Sequence, residues 1–171
     1  MAKLILLRGN SGSGKSFTAR ALQRRIGRNT LLIPQDTVRR DMLYARDGMD
    51  TAALPLLQAL LAYGHAHCEV TILEGILNAQ WYAPLFREAM RLYGSDIHAY
   101  YYDLSFEETL RRHATRAESG EFGAAEMRRW WKGKDYIGFL PETPLTAEMG
   151  PDETVERILR GAGIVTDDGG A

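Results

Sequence analysis

Apolar residues along this chain follow two alternating periods. Short unbroken runs recur at 4–7 (LILL), 30–34 (TLLIP), 69–74 (EVTILE) and 97–103 (IHAYYYD). Each is too short for a helix and suits a strand buried on both faces. Between them the apolar positions take helical spacing. Ala19, Leu22 and Ile26 predict a helix over 17–27 that stops at Gly27. Further helices are predicted over 37–46, over 51–63 with Pro55 tolerated only near its start, and over 81–93, closed by Gly94. Ser105 to Glu108 read as a capping box that opens another helix. A weak fifth strand is expected within 139–145, interrupted by Pro141 and Pro144, and a last helix runs from Pro151 to about Gly161.

Strands that alternate with helices predict an α/β fold, a parallel sheet with helices on both faces. In such folds ligands bind at the carboxyl ends of the strands. Three places become candidates: the loop after Leu7, the region of Asp36 and the region of Glu74.

The first carries a specific motif. Gly9-Asn10-Ser11-Gly12-Ser13-Gly14-Lys15-Ser16 is a complete Walker A loop, G-x-x-x-x-G-K-S, flanked by a predicted strand and a predicted helix. Its glycines let successive amide N–H groups face phosphates, and the helix N-terminus that includes Phe17 adds partial positive charge. Lys15 supplies a charge for the β- and γ-phosphates, and Ser16 a hydroxyl oxygen for Mg2+. The fold class therefore narrows to a P-loop NTPase: three layers, α/β/α, around a five-stranded parallel sheet.

The other strand ends supply acids. Asp36 and Arg39 are an i, i+3 pair after the second strand, able to face one cleft. There a carboxylate orients an acceptor hydroxyl and takes its proton, while an arginine grips substrate; helix capping by Asp36 is the structural alternative. Glu74 ends a hydrophobic strand beside the phosphate loop, as in a Walker B motif, and is expected to hold a magnesium-bound water or to contact the acceptor. Arg112 and Arg116 lie four apart on the helix after the fourth strand. They suit a small helical lid, about 112–134, that folds arginines over a γ-phosphate. Arg128 and Arg129 are weaker candidates for the same role. Trp130, Trp131 and Tyr100 to Tyr102 are read mainly as packing, and His65, His67 and Cys68 as structural because zinc spacing is lacking.

Composition adds bounds. A chain of 171 residues suits one domain, assigned to 1–163 with a disordered tail at 164–171. No apolar run reaches membrane-spanning length, and Cys68 has no partner for an internal disulfide. The chain enters its first strand directly after Met1-Ala2-Lys3, so no leader is expected and the cytoplasm is the expected compartment. Residues 1–46 carry ten Lys and Arg against Asp36 and Asp41, whereas 135–171 carry eight acids against Arg157 and Arg160. A basic first part suits an anionic ligand, but the net charge of −1 weighs against nucleic acid as partner.

Taken together, these residues resemble the small P-loop kinases, the broad group of nucleoside kinases, chloramphenicol phosphotransferase, zeta toxin and the polynucleotide 5′-kinases. Gln35-Asp36-Thr37-Val38-Arg39 is similar to the D-x-x-R element of polynucleotide kinases and zeta toxins, where the Asp activates the acceptor and the Arg contacts a substrate phosphate. Ile72 to Leu77 resembles the EGIL stretch of uridine kinases, and 121–131 resembles bacterial proteins labelled uridine-kinase-like. The resemblance implies ATP as donor, Mg2+, and transfer of the γ-phosphate to a hydroxyl of a small molecule, nucleoside-like or antibiotic. A polynucleotide or tRNA kinase is the alternative enzyme. A nucleotide-binding regulator, or an ATPase without an acceptor, is the alternative of another class. The absence of N-K-x-D argues against a GTPase.

Overall fold

In the computed structural model, which describes residues 1–115, 120 and 122–166, five strands form one parallel sheet in the order β2-β3-β1-β4-β5. They are β1 Lys3–Gly9, β2 Thr30–Pro34, β3 Val70–Gly75, β4 Ile97–Tyr102 and β5 Thr143–Leu145. The helices are α1 Lys15–Ile26, α2 Gln35–Thr37, α3 Ala53–His67, α4 Ala83–Tyr93, α5 Phe106–Ala114, α6 Ala124–Trp130 and α7 Pro151–Gly161.

The central strand shows why the unbroken apolar runs are needed. Side chains alternate across a strand, so both faces of β1 must be apolar when both are covered. Leu4 and Leu6 join the core beneath α3 and α4, with Leu57, Leu61, Leu73 and Phe86. Ile5 and Leu7 join the opposite core with Leu22, Ile72, Tyr102 and Ile158, on the side of α1 and α7. The tyrosine run of β4 obeys the same rule: Tyr100 and Tyr102 enter the second core, while Tyr101 faces the other way and meets Tyr136, ring centroids 4.6 Å apart.

Two predicted elements end elsewhere. The helix expected over 37–46 starts at Gln35 and stops at Met42, its second part being a π-helical turn over Val38–Met42. The chain then turns at Tyr44, whose φ of 49° lies in the left-handed region. The helix expected over 51–63 runs on to His67 because Leu57, Leu61 and Gly64 keep a buried face turned to the sheet. The fifth strand is confined to three residues at the sheet edge, where the missing N–H of Pro144 is tolerated.

One buried cation was not expected. Arg8, at the carboxyl end of β1, is wholly inaccessible. Its Nε and Nη2 donate to the Leu77 carbonyl at 3.1 and 2.8 Å, and Nη2 also reaches Asp135 Oδ2 at 3.1 Å. Its Nη1 donates to Glu142 Oε1 at 2.7 Å. The guanidinium lies between the Phe86 and Tyr101 rings, 5.3 and 5.4 Å from their centroids. Glu142 Oε2 accepts from the Ile137 amide, and Asp135 Oδ2 from the Ala79 amide. Removing Arg8 leaves the buried Glu142 carboxylate without its cation, while Asp135 keeps Lys132 Nζ at 2.9 Å. Arg8→Met is expected to lose about 3–5 kcal/mol of stability in urea titration.

Candidate active site

The Walker residues form the turn between β1 and α1, with Gly12 and Gly14 at φ of 80° and 100°. At Gly12 sterics also forbid a side chain: a Cβ would lie 2.6 Å from the Thr109 carbonyl oxygen and 2.9 Å from Met127 Cε. The loop is thus pressed against α5 and α6. Asn10, the second residue of the motif, clamps it to the chain after α6. Its Nδ2 donates to the Lys132 carbonyl at 2.8 Å, and its Oδ1 accepts the Lys132 amide at 2.9 Å. Lys15 is buried, with Nζ donating to the Asn10 carbonyl at 3.1 Å. The buried Ser13 hydroxyl has no hydrogen-bond partner among the described residues.

Ser16 and Glu74 meet. The Ser16 hydroxyl donates to Glu74 Oε1 at 2.9 Å. Register explains why: Glu74 on β3 stands level with Leu7 on β1 and with Pro34 on β2. Two hard oxygen ligands side by side at the phosphate loop fit Mg2+, which takes one or two protein oxygens and keeps water on its other positions.

Asp36 comes two residues beyond Pro34, two strands from β1, about 10 Å across the sheet. Its carboxylate is exposed and receives Arg39 Nη2 at 2.7 Å, with Arg40 at 3.8 Å. Arg39 also donates through Nη1 to the Ala45 carbonyl at 3.1 Å. Asp36 is not a helix cap: no side-chain cap bond forms at α2.

On the opposite side of the loop lies a cavity of ≈ 890 Å³, whose walls include Gly14, Ser16, Arg20, Arg112, Met149 and Pro151. Arg112 donates through Nη1 to the Ser13 carbonyl at 2.8 Å and through Nε to Glu108 Oε1 at 2.8 Å. Glu108 also holds Arg111 through two bonds, at 2.8 and 2.7 Å. Hydrogen bonds from Arg111 and then Arg112 pull the Glu108 carboxyl down to about 2. Its amide meanwhile caps α5 on Ser105 Oγ. Arg116 lies outside the described residues. Arg128 packs over the Phe106 ring at 3.9 Å. Trp131 lies edge-on to Phe106, and Trp130 edge-on to Phe122. His65 and His67 sit on the last turn of α3, and Cys68 follows it, at the amino end of the sheet and away from the phosphate loop.

Sequence reasoning missed Glu108, Asn10 in its clamping role, and the loop 147–151 on the cavity wall. Glu108 was readable as the i−4 partner of Arg112. The loop was readable from the strand-end rule, since it follows β5. The reach of Asn10 across the sequence to Lys132 carries no local signal.

The sequence matches a family model described as an AAA domain over residues 4–138. No curated protein matches it. Solved structures of similar fold include a gluconokinase from Sinorhizobium meliloti 1021, at TM-score 0.69 and 20% identity over 94% of this chain and 91% of that one. The tunicamycin resistance protein of Deinococcus radiodurans reaches 0.66 at 17% identity, covering 97% and 98%. The APS kinase of Mycobacterium tuberculosis in complex with AMPPNP and APS reaches 0.66 at 22%, covering 95% and 98%. At these identities the likeness is one of fold, and the fold is that of P-loop kinases.

Two glycines of positive φ separate crowding from backbone strain. Gly12→Ala is expected to lower both the melting temperature and nucleotide affinity, the latter at least tenfold. Gly27→Ala, at φ 103° and ψ −157° with nothing within 4 Å of a Cβ, should cost about 1–3 kcal/mol and leave affinity unchanged. Isothermal titration and thermal melts distinguish them. Glu108→Gln tests the arginine clamp. Because the folded carboxyl value is depressed, the ion pair contributes above the ordinary carboxylate range and fades as pH falls toward 2. The melting-temperature difference from wild type should persist from pH 7 to pH 5 and shrink by pH 3.

Proposed function

The chain belongs to the AAA-domain family, and we propose that within it this protein is an ATP- and Mg2+-dependent kinase that phosphorylates a hydroxyl of a small molecule. The observation that carries this reading is the 2.9 Å contact of Ser16 with Glu74, next to the phosphate loop and one strand from Asp36. It joins the phosphate loop to a metal-fitting oxygen pair, one strand from the exposed carboxylate of Asp36, which Arg39 holds at 2.7 Å. The similarity in fold to a gluconokinase and an APS kinase supports it.

The cavity walled by Arg112, Met149 and Pro151 takes the nucleoside part of ATP, and the loop amides with Lys15 take the β- and γ-phosphates. Ser16 and Glu74 would hold Mg2+, which would supply neutralising charge for the phosphates. The acceptor lies on the far side of the γ-phosphate, toward β2. Its oxygen attacks phosphorus opposite the β–γ bridging oxygen, the bond to ADP breaks, and the hydroxyl proton passes to the Asp36 carboxylate. Arg39, fixed to Asp36, presents its remaining charge to the acceptor. Arg112, on the Ser13 carbonyl of the loop, is the arginine that meets the transferring oxygens. Arg116 completes the pair as a lid arginine, and 112–134 acts as the lid, with Asn10 and Lys132 at its rear hinge.

Asp36→Asn is expected to reduce transfer at least a hundredfold with ATP affinity within twofold of wild type. A labelled-ATP screen over nucleosides, sugar acids, antibiotics and 5′-hydroxyl oligonucleotides supplies the acceptor for that assay. Normal turnover in Asp36→Asn removes it as the base. ATP hydrolysis indifferent to every acceptor favours the regulator or ATPase reading. Chelation of Mg2+ by EDTA should abolish transfer, and Ser16→Ala should raise the Mg2+ concentration needed for half-maximal rate.

A further inference from the structure

The cavity beside α1 and α7 has cationic groups that the phosphate loop does not account for. Its wall holds five cations, Lys15, Arg20, Arg24, Arg111 and Arg112, against one acid, Glu148. Three of the five are engaged. Lys15 donates to the Asn10 carbonyl, and Glu108 holds both Arg111 and Arg112. Arg20 and Arg24 are exposed, and neither makes a hydrogen bond, an ion pair or a ring contact among the described residues.

A shortage of acids does not explain this. Arg25, the residue after Arg24 on α1, reaches Glu156 of α7 at 2.8 Å. Carboxylates of α7 are therefore within range of α1, yet the two arginines on the cavity wall have none. Like charges four residues apart on a helix also repel each other. Two cations left open toward a cavity, at that cost, suit an anion that enters it.

Position narrows the ligand. Ser16, Arg20 and Arg24 follow one another at intervals of four on α1, and all three line the cavity. They share a face of the helix, with Arg20 about 6 Å and Arg24 about 12 Å along the axis from Ser16. A nucleotide whose 5′-phosphates sit on the loop carries its ribose beyond them into this cavity. Base and ribose are uncharged and give an arginine pair nothing to neutralise. A phosphate on the ribose does, and the guanidinium fork meets phosphate oxygens in pairs. Phe17, Met149 and Pro151 give the same cavity apolar surface for a base, which a bare polyphosphate does not use.

We propose that Arg20 and Arg24 form a second anion subsite in this cavity, and that it takes a nucleotide bearing a 2′- or 3′-phosphate on its ribose in addition to its 5′-phosphate. Such a ligand competes with ATP for the cavity. The subsite rests on the reading that the nucleoside part of ATP lies here.

Isothermal titration of the full chain with Mg2+ compares AMP, adenosine 2′,5′-bisphosphate, adenosine 3′,5′-bisphosphate and tripolyphosphate. At least one bisphosphate is expected to bind tenfold or more tighter than AMP and to be displaced by ADP. In Arg20→Ala/Arg24→Ala that advantage over AMP should fall to within twofold, with AMP binding itself reporting an intact loop. Arg25→Ala/Arg28→Ala, which removes two nearby arginines outside the cavity wall, should keep the advantage. Equal affinity of AMP and both bisphosphates overturns the proposal. So does an advantage that survives Arg20→Ala/Arg24→Ala or that ADP does not compete away. A loss in that variant larger for tripolyphosphate than for the bisphosphates overturns it as well, for a linear anion then runs along the helix. Each of these results leaves the kinase reading standing, whereas binding of no adenine nucleotide at all would overturn both.

Discussion

The buried guanidinium of Arg8 fixes where everything else can be. It sits one residue before the phosphate loop and reaches three segments far apart in sequence: Leu77 after β3, Asp135 after α6 and Glu142 before β5. Burying a charge is costly, and this one is compensated by two carboxylates, a carbonyl and two aromatic faces. The backbone shares in that cost, since Leu77 turns its carbonyl inward with a φ of 46°, a left-handed conformation that disfavours a branched side chain. What results is a rigid floor beneath the carboxyl edge of the sheet, with the loop anchored at its centre.

Above that floor the Walker loop is a point where distant segments meet. Gly12 lets α5 and α6 close onto it, and Asn10 pairs with the Lys132 backbone as one strand residue pairs with another. Arg112 touches the Ser13 carbonyl from the other side. On the β2 side, the Gln35–Tyr82–Asp47 chain braces the segment that carries Asp36, apart from the cavity beside α5 and α7. The two sides share the carboxyl end of the sheet but are braced by different side chains.

The strand and helix inventory was legible because local patterns impose it. β2 and α7 fall where the apolar runs and the Pro151 start signal put them, and Gly94 closes α4. The helix after β2 was misjudged because its end is set by a left-handed turn at Tyr44 and by Arg39 reaching Ala45, neither of which has a local code. At the site, the loop, Ser16, Glu74, Asp36 and Arg39 were readable as types at strand ends. Arg8 was not, because an arginine next to an apolar run reads as the polar end of a strand until its carboxylates arrive from over a hundred residues away.

By itself, the sequence determined the turn between β1 and α1, since the Walker spacing encodes a local backbone shape, and the alternation of strands and helices, since periodicity encodes burial. Tertiary structure alone decided which distant groups meet. Strand order set Glu74 between β1 and β2 and so beside Ser16. Packing brought α5 and α6 onto Gly12, and Tyr82 joined two loops that sequence leaves unconnected. The physical reason is that hydrogen bonds and ion pairs between remote segments depend on chain paths through space, and a linear pattern of side chains carries only the local part of that information.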